Sequence, residues 1–204
     1  MAAQVPSSSL FNRLDFTNKT HQKNLLKTYH NKQKNLPYSI IVCGGSITEF
    51  NLQKRILYIK CNDLYEGFTE KIIKTLKYLV ESPHFINYTH FVKLDENINI
   101  IRPLPNNIFN NINYAGKVQY YQGNRRWHFG KCSSNNKYYN IEYQGEFVPW
   151  CKGGYGYIIS RTAINLIKDN QDFTNHIYED LYLGLILREK NILPTPIKTE
   201  LFFS

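Results

Sequence analysis

The chain has 204 residues, enough for one ordinary domain with a real hydrophobic core. Its hydrophobic share of 42% and aromatic share of 15% exclude a disordered composition. The formal charge is +9, which suits a nucleic acid, an anionic membrane surface or a phosphate-bearing substrate, but the basic residues form no block and select none of these.

No apolar run approaches the ~20 residues needed to cross a bilayer. Residues 1–10 lack the basic end and apolar core of a signal peptide. The expectation is a soluble chain of the cytoplasm or a host cytoplasm, without a transmembrane segment. Cys43, Cys61, Cys132 and Cys151 are far apart, with no CxxC and no Cys/His ligand spacing. Free thiols are therefore expected rather than a zinc site. Tyr and Asn are frequent and Ala is scarce, which an AT-rich genome would produce.

In chain order, residues 1–10 are rich in Ser and Ala and predict a loose end, with a single domain over 11–204. A short strand is expected at 11–16 and a helix at 20–29, broken by Pro37. Residues 38–43 form a compact β run ending in Gly44-Gly45. Another strand is expected at 56–61, then a helix at about 67–81. That helix places Ile72, Ile73, Leu76, Leu79 and Val80 on one face, and Pro83 ends it. Residues 88–94 are a third strand, so 56–97 reads as a βαβ unit.

That third strand runs straight into Asp95-Glu96-Asn97 before a second apolar run at 98–101. Ligands of α/β sheets bind outside the carboxyl ends of strands. Carboxylates there can hold a hard cation and, through it, phosphates. A polar turn between two strands explains the triplet as well. Residues 114–121 are strand-like, and 122–146 form a long polar and aromatic connection carrying Arg125-Arg126-Trp127-His128. A Gly-rich turn around Gly153-Gly154 then enters a strand, followed by helices at 161–168 and 181–189. Glu179-Asp180 opens the second of these, where acids serve as caps and dipole partners.

Four segments match one family in order and approximate spacing, across roughly residues 38–187. Asp63-Leu64-Tyr65-Glu66-Gly67-Phe68-Thr69-Glu70-Lys71 resembles a D-S-Y-x-N-L-T-x-K segment, and residues 91–100 resemble F-V-L-K-T-D-D-D-V-F-V. Residues 150–160 resemble Y-P-x-Y-C-S-G-G-G-Y-V-L-S, and Glu179-Asp180-Leu181-Tyr182-Leu183-Gly184 resembles E-D-V-Y-V-G. The chain thus resembles the inverting β-1,3-glycosyltransferases of the galactosyltransferase and Fringe type, glycosyltransferase family 31.

The resemblance implies an α/β, GT-A-type fold: a mixed, mostly parallel central sheet flanked by helices. It implies hexose transfer from a UDP-sugar to a glycan or glycoconjugate hydroxyl, metal-assisted and inverting. Asp95 and Asn97 would be ligands to Mn2+ or Mg2+, with Glu96 between them in the donor region. Asp180 matches the candidate base and Glu179 sits beside it. Lys71 and Asp63 would hold the donor region, Gly153 and Gly154 would admit the sugars, and Trp150 would stack on one. Arg125 and His128 either reach a diphosphate or acidic acceptor or lie on an exposed basic loop.

Three departures stand out. Asn97 replaces the usual third Asp and brings no charge. Gly153-Gly154-Tyr155 replaces a triple glycine. The R-x-x-I-R-x-T-W segment survives only as Leu25-Leu26-Lys27-Thr28-Tyr29. They keep open an alternative, a catalytically impaired nucleotide-sugar or carbohydrate binding module on the same fold. The family's usual membrane anchor is not seen, and with the coding bias this suggests a large DNA virus, a protist or a bacterium. No nucleic-acid motif is present, so nucleic acid is not an expected partner.

Overall fold

The computed structural model of the chain describes residues 2–7, 39–95, 98 and 100–204. The strand expected at 11–16, the helix at 20–29, and Glu96, Asn97 and Asn99 lie outside the described residues. The elements in order are β1 (Ala2–Ser7), β2 (Ile41–Gly45), β3 (Glu49–Asn51), β4 (Ile56–Lys60), α1 (Phe68–Glu81) and β5 (His90–Asp95). Then come β6 (Tyr114–Gly116), β7 (Val118–Gln119), β8 (Trp150–Cys151), β9 (Tyr157–Ser160), α2 (Arg161–Ile167), α3 (Glu179–Arg188) and β10 (Thr195–Pro196). The result is an α/β architecture with mixed sheets flanked by helices, the class the sequence implies.

The main sheet has the order β1-β5-β9-β6-β10. β1 and β5 are parallel, as are β6 and β10, while β9 runs antiparallel to both β5 and β6. β2, β4 and β3 form a smaller sheet, with β2 parallel and β3 antiparallel to β4. Two elements differ from expectation. Ala2–Ser7 pairs with β5 where composition suggested a loose end, because strand pairing needs backbone groups rather than apolar side chains. The strands flanking α1 do not share a sheet, since β4 takes β2 and β3 as neighbours.

The central strands β5 and β9 are buried on both faces, and strand alternation sorts their side chains. Phe91 of β5 and Tyr157 and Ile159 of β9 face the helices, joining Ile72, Ile73, Leu76 and Leu79 of α1 and Leu183, Ile186 and Leu187 of α3 in one core. Val92, Leu94 and Ile158 face the other way, against Phe203 and the partly buried Ile100, Ile108 and Phe109. By the same period, Lys93 and Asp95 fall on the helix side.

α1 begins after a 3-10 turn at Tyr65–Gly67 and stops at Ser82, before Pro83. Its last carbonyls have no partner within the helix. Arg161, at the start of α2, supplies one. Its Nη1 donates to Val80 O (2.8 Å) and its Nη2 to Leu79 O (3.4 Å) and Phe85 O, while Nε donates to Tyr88 O (2.8 Å). One guanidinium thus caps α1 and ties it to α2 and the start of β5. Arg161→Met keeps the stem but removes all four bonds. It should lower unfolding free energy by about 2–4 kcal/mol, measured by urea denaturation; a loss near zero would show that water replaces the cap.

Candidate functional site

The site gathers at the carboxyl end of β5. Because β9 is antiparallel to β5, with Lys93 opposite Tyr157, the turn that precedes β9 lies over that end. The turn is a 3-10 segment, Gly153–Tyr155, closed by Gly156 at φ 74°. A Cβ on Gly156 would stand 2.7 Å from Leu94 Cδ2 and 3.2 Å from Lys93 O, so glycine is required both for φ and for space. α3 brings Glu179 and Asp180 to the same place through its first turn.

At the centre is Lys93, 3% exposed. Its Nζ lies 2.5 Å from Asp95 Oδ1 and 3.0 Å from Glu179 Oε1, and donates to Gly153 O at 3.2 Å. Phe68 and Tyr157 present their rings to the same ammonium, with centroids at 5.5 and 5.7 Å. A buried ammonium requires such partners. Burial lowers the Lys93 pKa, but Glu179 and Asp95 more than offset it, so it lies above its ordinary value. Sequence reasoning passed over Lys93. A lysine between apolar neighbours in a strand, two residues before an acid, was the available signal.

The two acids of α3 separate in role. Glu179 is 7% exposed and points inward; its oxygens are aligned for no hydrogen bond among the described residues, leaving the ion pair to Lys93. Burial pushes its pKa from 4.5 to about 8, with Asp180 and Asp95 adding and Lys93 opposing. Asp180 is partly exposed and firmly held. Its Oδ2 accepts from Gly153 N (2.9 Å) and Trp150 Nε1 (3.2 Å), and its Oδ1 from Leu181 N (2.8 Å). Burial raises its pKa and these donors pull against the rise.

Gly153 admits this packing: a Cβ there would meet Glu179 Oε1 at 2.8 Å and Lys93 Nζ at 3.1 Å. The neighbouring Gly154 is exposed, and the position of its absent Cβ is 3.9 Å from Asp95 Oδ2. Asp180, Glu179, Asp95, Gly153, Gly154 and Trp150 are therefore brought together. Trp150 is 7% exposed, with its ring packed on Phe147 at 5.6 Å, so its contribution here is the indole N–H on Asp180 rather than an open stacking face.

The remaining candidates sit differently. Lys71 is 1% exposed and its Nζ donates to Asp63 Oδ1 at 2.6 Å, so its charge is spent on Asp63. Phe68 links that pair to the centre, its ring also facing Lys71 at 5.2 Å. Arg125 donates from Nη1 to Tyr143 O (2.5 Å) and Gly145 O (3.2 Å), within its own loop. His128 is fully buried, its ring nitrogens engaged by Tyr178 OH (2.7 Å) and Ile141 O (2.9 Å). Both ring nitrogens of His128 are thus taken up within the protein. Glu96 and Asn97 lie outside the described residues.

For a divalent ion, the chemistry of the donor set is the test. Among the described residues no group of three His, Cys, Asp or Glu is clustered for a metal. Asp95 alone places a hard carboxylate at the strand end. That fits Mg2+-like binding, in which one or two carboxylates combine with substrate phosphates and water.

The family model described as Galactosyltransferase matches residues 45–198. No curated protein sequence matches the chain. Among solved structures, it is similar to a Bacillus anthracis protein described as a glucose-1-phosphate thymidylyltransferase, solved with sucrose. The TM-score is 0.50 at 10% identity, covering 97% of this chain and 87% of that one. At that identity the likeness concerns the fold alone.

Glu179 makes stability depend on pH. With its folded pKa near 8 against an ordinary 4.5, the folded state binds the extra proton between these values. The stability that Glu179 contributes is therefore fully present below about 4.5 and is lost as pH rises through about 8. Glu179→Gln should flatten this segment by up to about 5 kcal/mol, measured by urea denaturation at several pH values. Parallel curves for the two proteins would remove Glu179 as the source.

Proposed function

The chain belongs to the galactosyltransferase family and is a glycosyltransferase; we propose that it moves a hexose from a UDP-sugar to a hydroxyl of a glycan or glycoconjugate, inverting the anomeric centre on a GT-A-type fold. The observation that carries this reading is Asp180. Its carboxylate is fixed by Gly153 N–H and the Trp150 indole, at a partly exposed position beside the glycine turn that also faces Asp95.

Inversion requires a base that takes the acceptor hydroxyl's proton as the new bond forms. Asp180 suits that role. Three N–H donors orient it, and burial raises its pKa, which strengthens it as a base. Glu179 points away to Lys93 and supports the arrangement instead. Asp95 would hold a divalent cation, Mn2+ or Mg2+, with Asn97 offering a neutral carbonyl oxygen. Such an ion, when bound, supplies charge compensation for the departing nucleoside diphosphate. Lys93 holds Asp95 in place, and Gly154 leaves the approach to it open.

Transfer should be measured as UDP release and by NMR of the product's anomeric proton, across UDP-Gal, UDP-Glc and UDP-GlcNAc with Mn2+. Asp180→Asn should lower kcat by about 10²–10⁴-fold while donor binding by calorimetry persists. Asp95→Ala should weaken donor binding, and EDTA should do the same to the wild type. Donor binding by the wild-type protein with no transfer to any acceptor would overturn the enzyme reading in favour of a binding module. An α-linked product, formed with the donor's anomeric configuration retained, would overturn the role given to Asp180.

A further inference from the structure

The connection from 122 to 149 contains no helix or strand, yet it is pinned at several points. His128 and Arg125 hold it from within, as described above. Ser133 fastens it to the turn before α1, donating from Oγ to Glu66 Oε1 (2.5 Å) and from N to Glu66 Oε2 (3.3 Å). On this fixed loop, next to the fully buried His128, Trp127 is 61% exposed. A large indole left open on an anchored loop is apolar surface with no packing reason to face water.

Lys131 is set against it. Its Nζ lies 3.8 Å from the centroid of the Trp127 ring and 5.6 Å from that of Tyr65. Lys131 is exposed and takes part in none of the ion pairs among the described residues. Arg126, its basic neighbour on the loop, is committed to Glu142, with Nε donating to Oε1 at 2.6 Å. Tyr65 packs against the buried cluster of Trp150 and Leu181, and Trp150 holds Asp180. Trp127 and Lys131 thus lie beside Tyr65, which packs on the same buried cluster as the tryptophan that holds Asp180.

We propose that Trp127, Lys131 and Tyr65 form an acceptor subsite for an anionic pyranose, a sugar carrying a carboxylate, sulfate or phosphate. This rests on the glycosyl-transfer reading above. The subsite takes a sugar unit other than the one that reacts. The exposed indole of Trp127 receives the C–H face of the ring, an apolar surface matched to an aromatic one. The ammonium of Lys131, oriented by two aromatic faces, binds the acidic group. The loop thereby chooses which glycan is extended, while Asp180 acts on its hydroxyl.

The test uses the full chain and three disaccharide probes of matched linkage: neutral, glucuronate-containing and sulfated. Binding is followed by calorimetry without donor, and transfer by UDP release. The wild type should bind at least one anionic probe about tenfold more tightly than the neutral one. Lys131→Met should erase that preference. Trp127→Ala should raise acceptor KM about tenfold with kcat little changed, and Trp127→Tyr should restore most of the loss. Equal affinity of the wild type for all three probes, or variants that match it, would overturn the subsite. Donor hydrolysis by the wild type is measured separately. If it occurs while the probes bind without preference, the subsite fails and the transferase reading stands. If neither hydrolysis nor transfer to any acceptor occurs while binding depends on Trp127 and Lys131, the reverse holds.

Discussion

A single buried ammonium organises this site. Lys93 lies on the helix face of β5, where strand alternation would place an apolar residue, and there it bridges Asp95 and Glu179. Burying an ion costs several kcal/mol unless partners surround it, and removing one partner from such a pair is strongly destabilising. Each neighbour of Lys93 is therefore constrained. Asp95 must end the strand, α3 must bring Glu179 in with its first turn, and the Gly153 backbone must lie close enough to offer its carbonyl. The glycine turn and the start of α3 are thus held relative to β5 by polar contacts to one ammonium as well as by apolar packing.

That arrangement divides labour between adjacent acids. Successive residues in a helix point about 100° apart, so Glu179 and Asp180 cannot serve the same space. Glu179 faces the interior and the ammonium; Asp180 faces the opening and collects three N–H donors. The tightness of the glycine turn follows, since any side chain at Gly153 would collide with Glu179 and Lys93. Lys71 and Asp63 repeat the theme nearby, with the Phe68 ring between the two lysines. Acids outnumber lysines in this region, so the overall charge of +9 says little about the centre.

The connection from 122 to 149 shows how order arises without regular secondary structure. Its anchors are a buried imidazole, a half-buried guanidinium on backbone carbonyls, and a hydroxyl on Glu66. Polar groups buried in a loop must find partners, and here those partners are the loop's own carbonyls and the elements beneath. Arg125 and His128 attract notice in the sequence as possible ligand contacts. In three dimensions they hold the loop, while Trp127 and Lys131, beside them, remain exposed.

The sequence by itself determined the mixed α/β class, the main helices and the residues that converge. Periodicity of 3.6 marked Ile72, Ile73, Leu76 and Leu79 as the buried stripe of α1, and four motifs in register marked Asp95, Gly153, Gly154 and Asp180. These were legible because local pattern carries them. Only the tertiary structure decided which strands pair: Ala2–Ser7 joins β5 although its composition suggests a loose end, and β4 leaves β5 for a second sheet. Pairing depends on backbone groups far apart in sequence. The structure also decided that Lys93 is the centre, that Trp150 serves Asp180, and that Lys71 is sealed against Asp63. A charged or aromatic letter looks the same in a sequence whether its side chain meets water or a buried partner. Burial, which fixes the chemistry, exists only after distant segments have packed together.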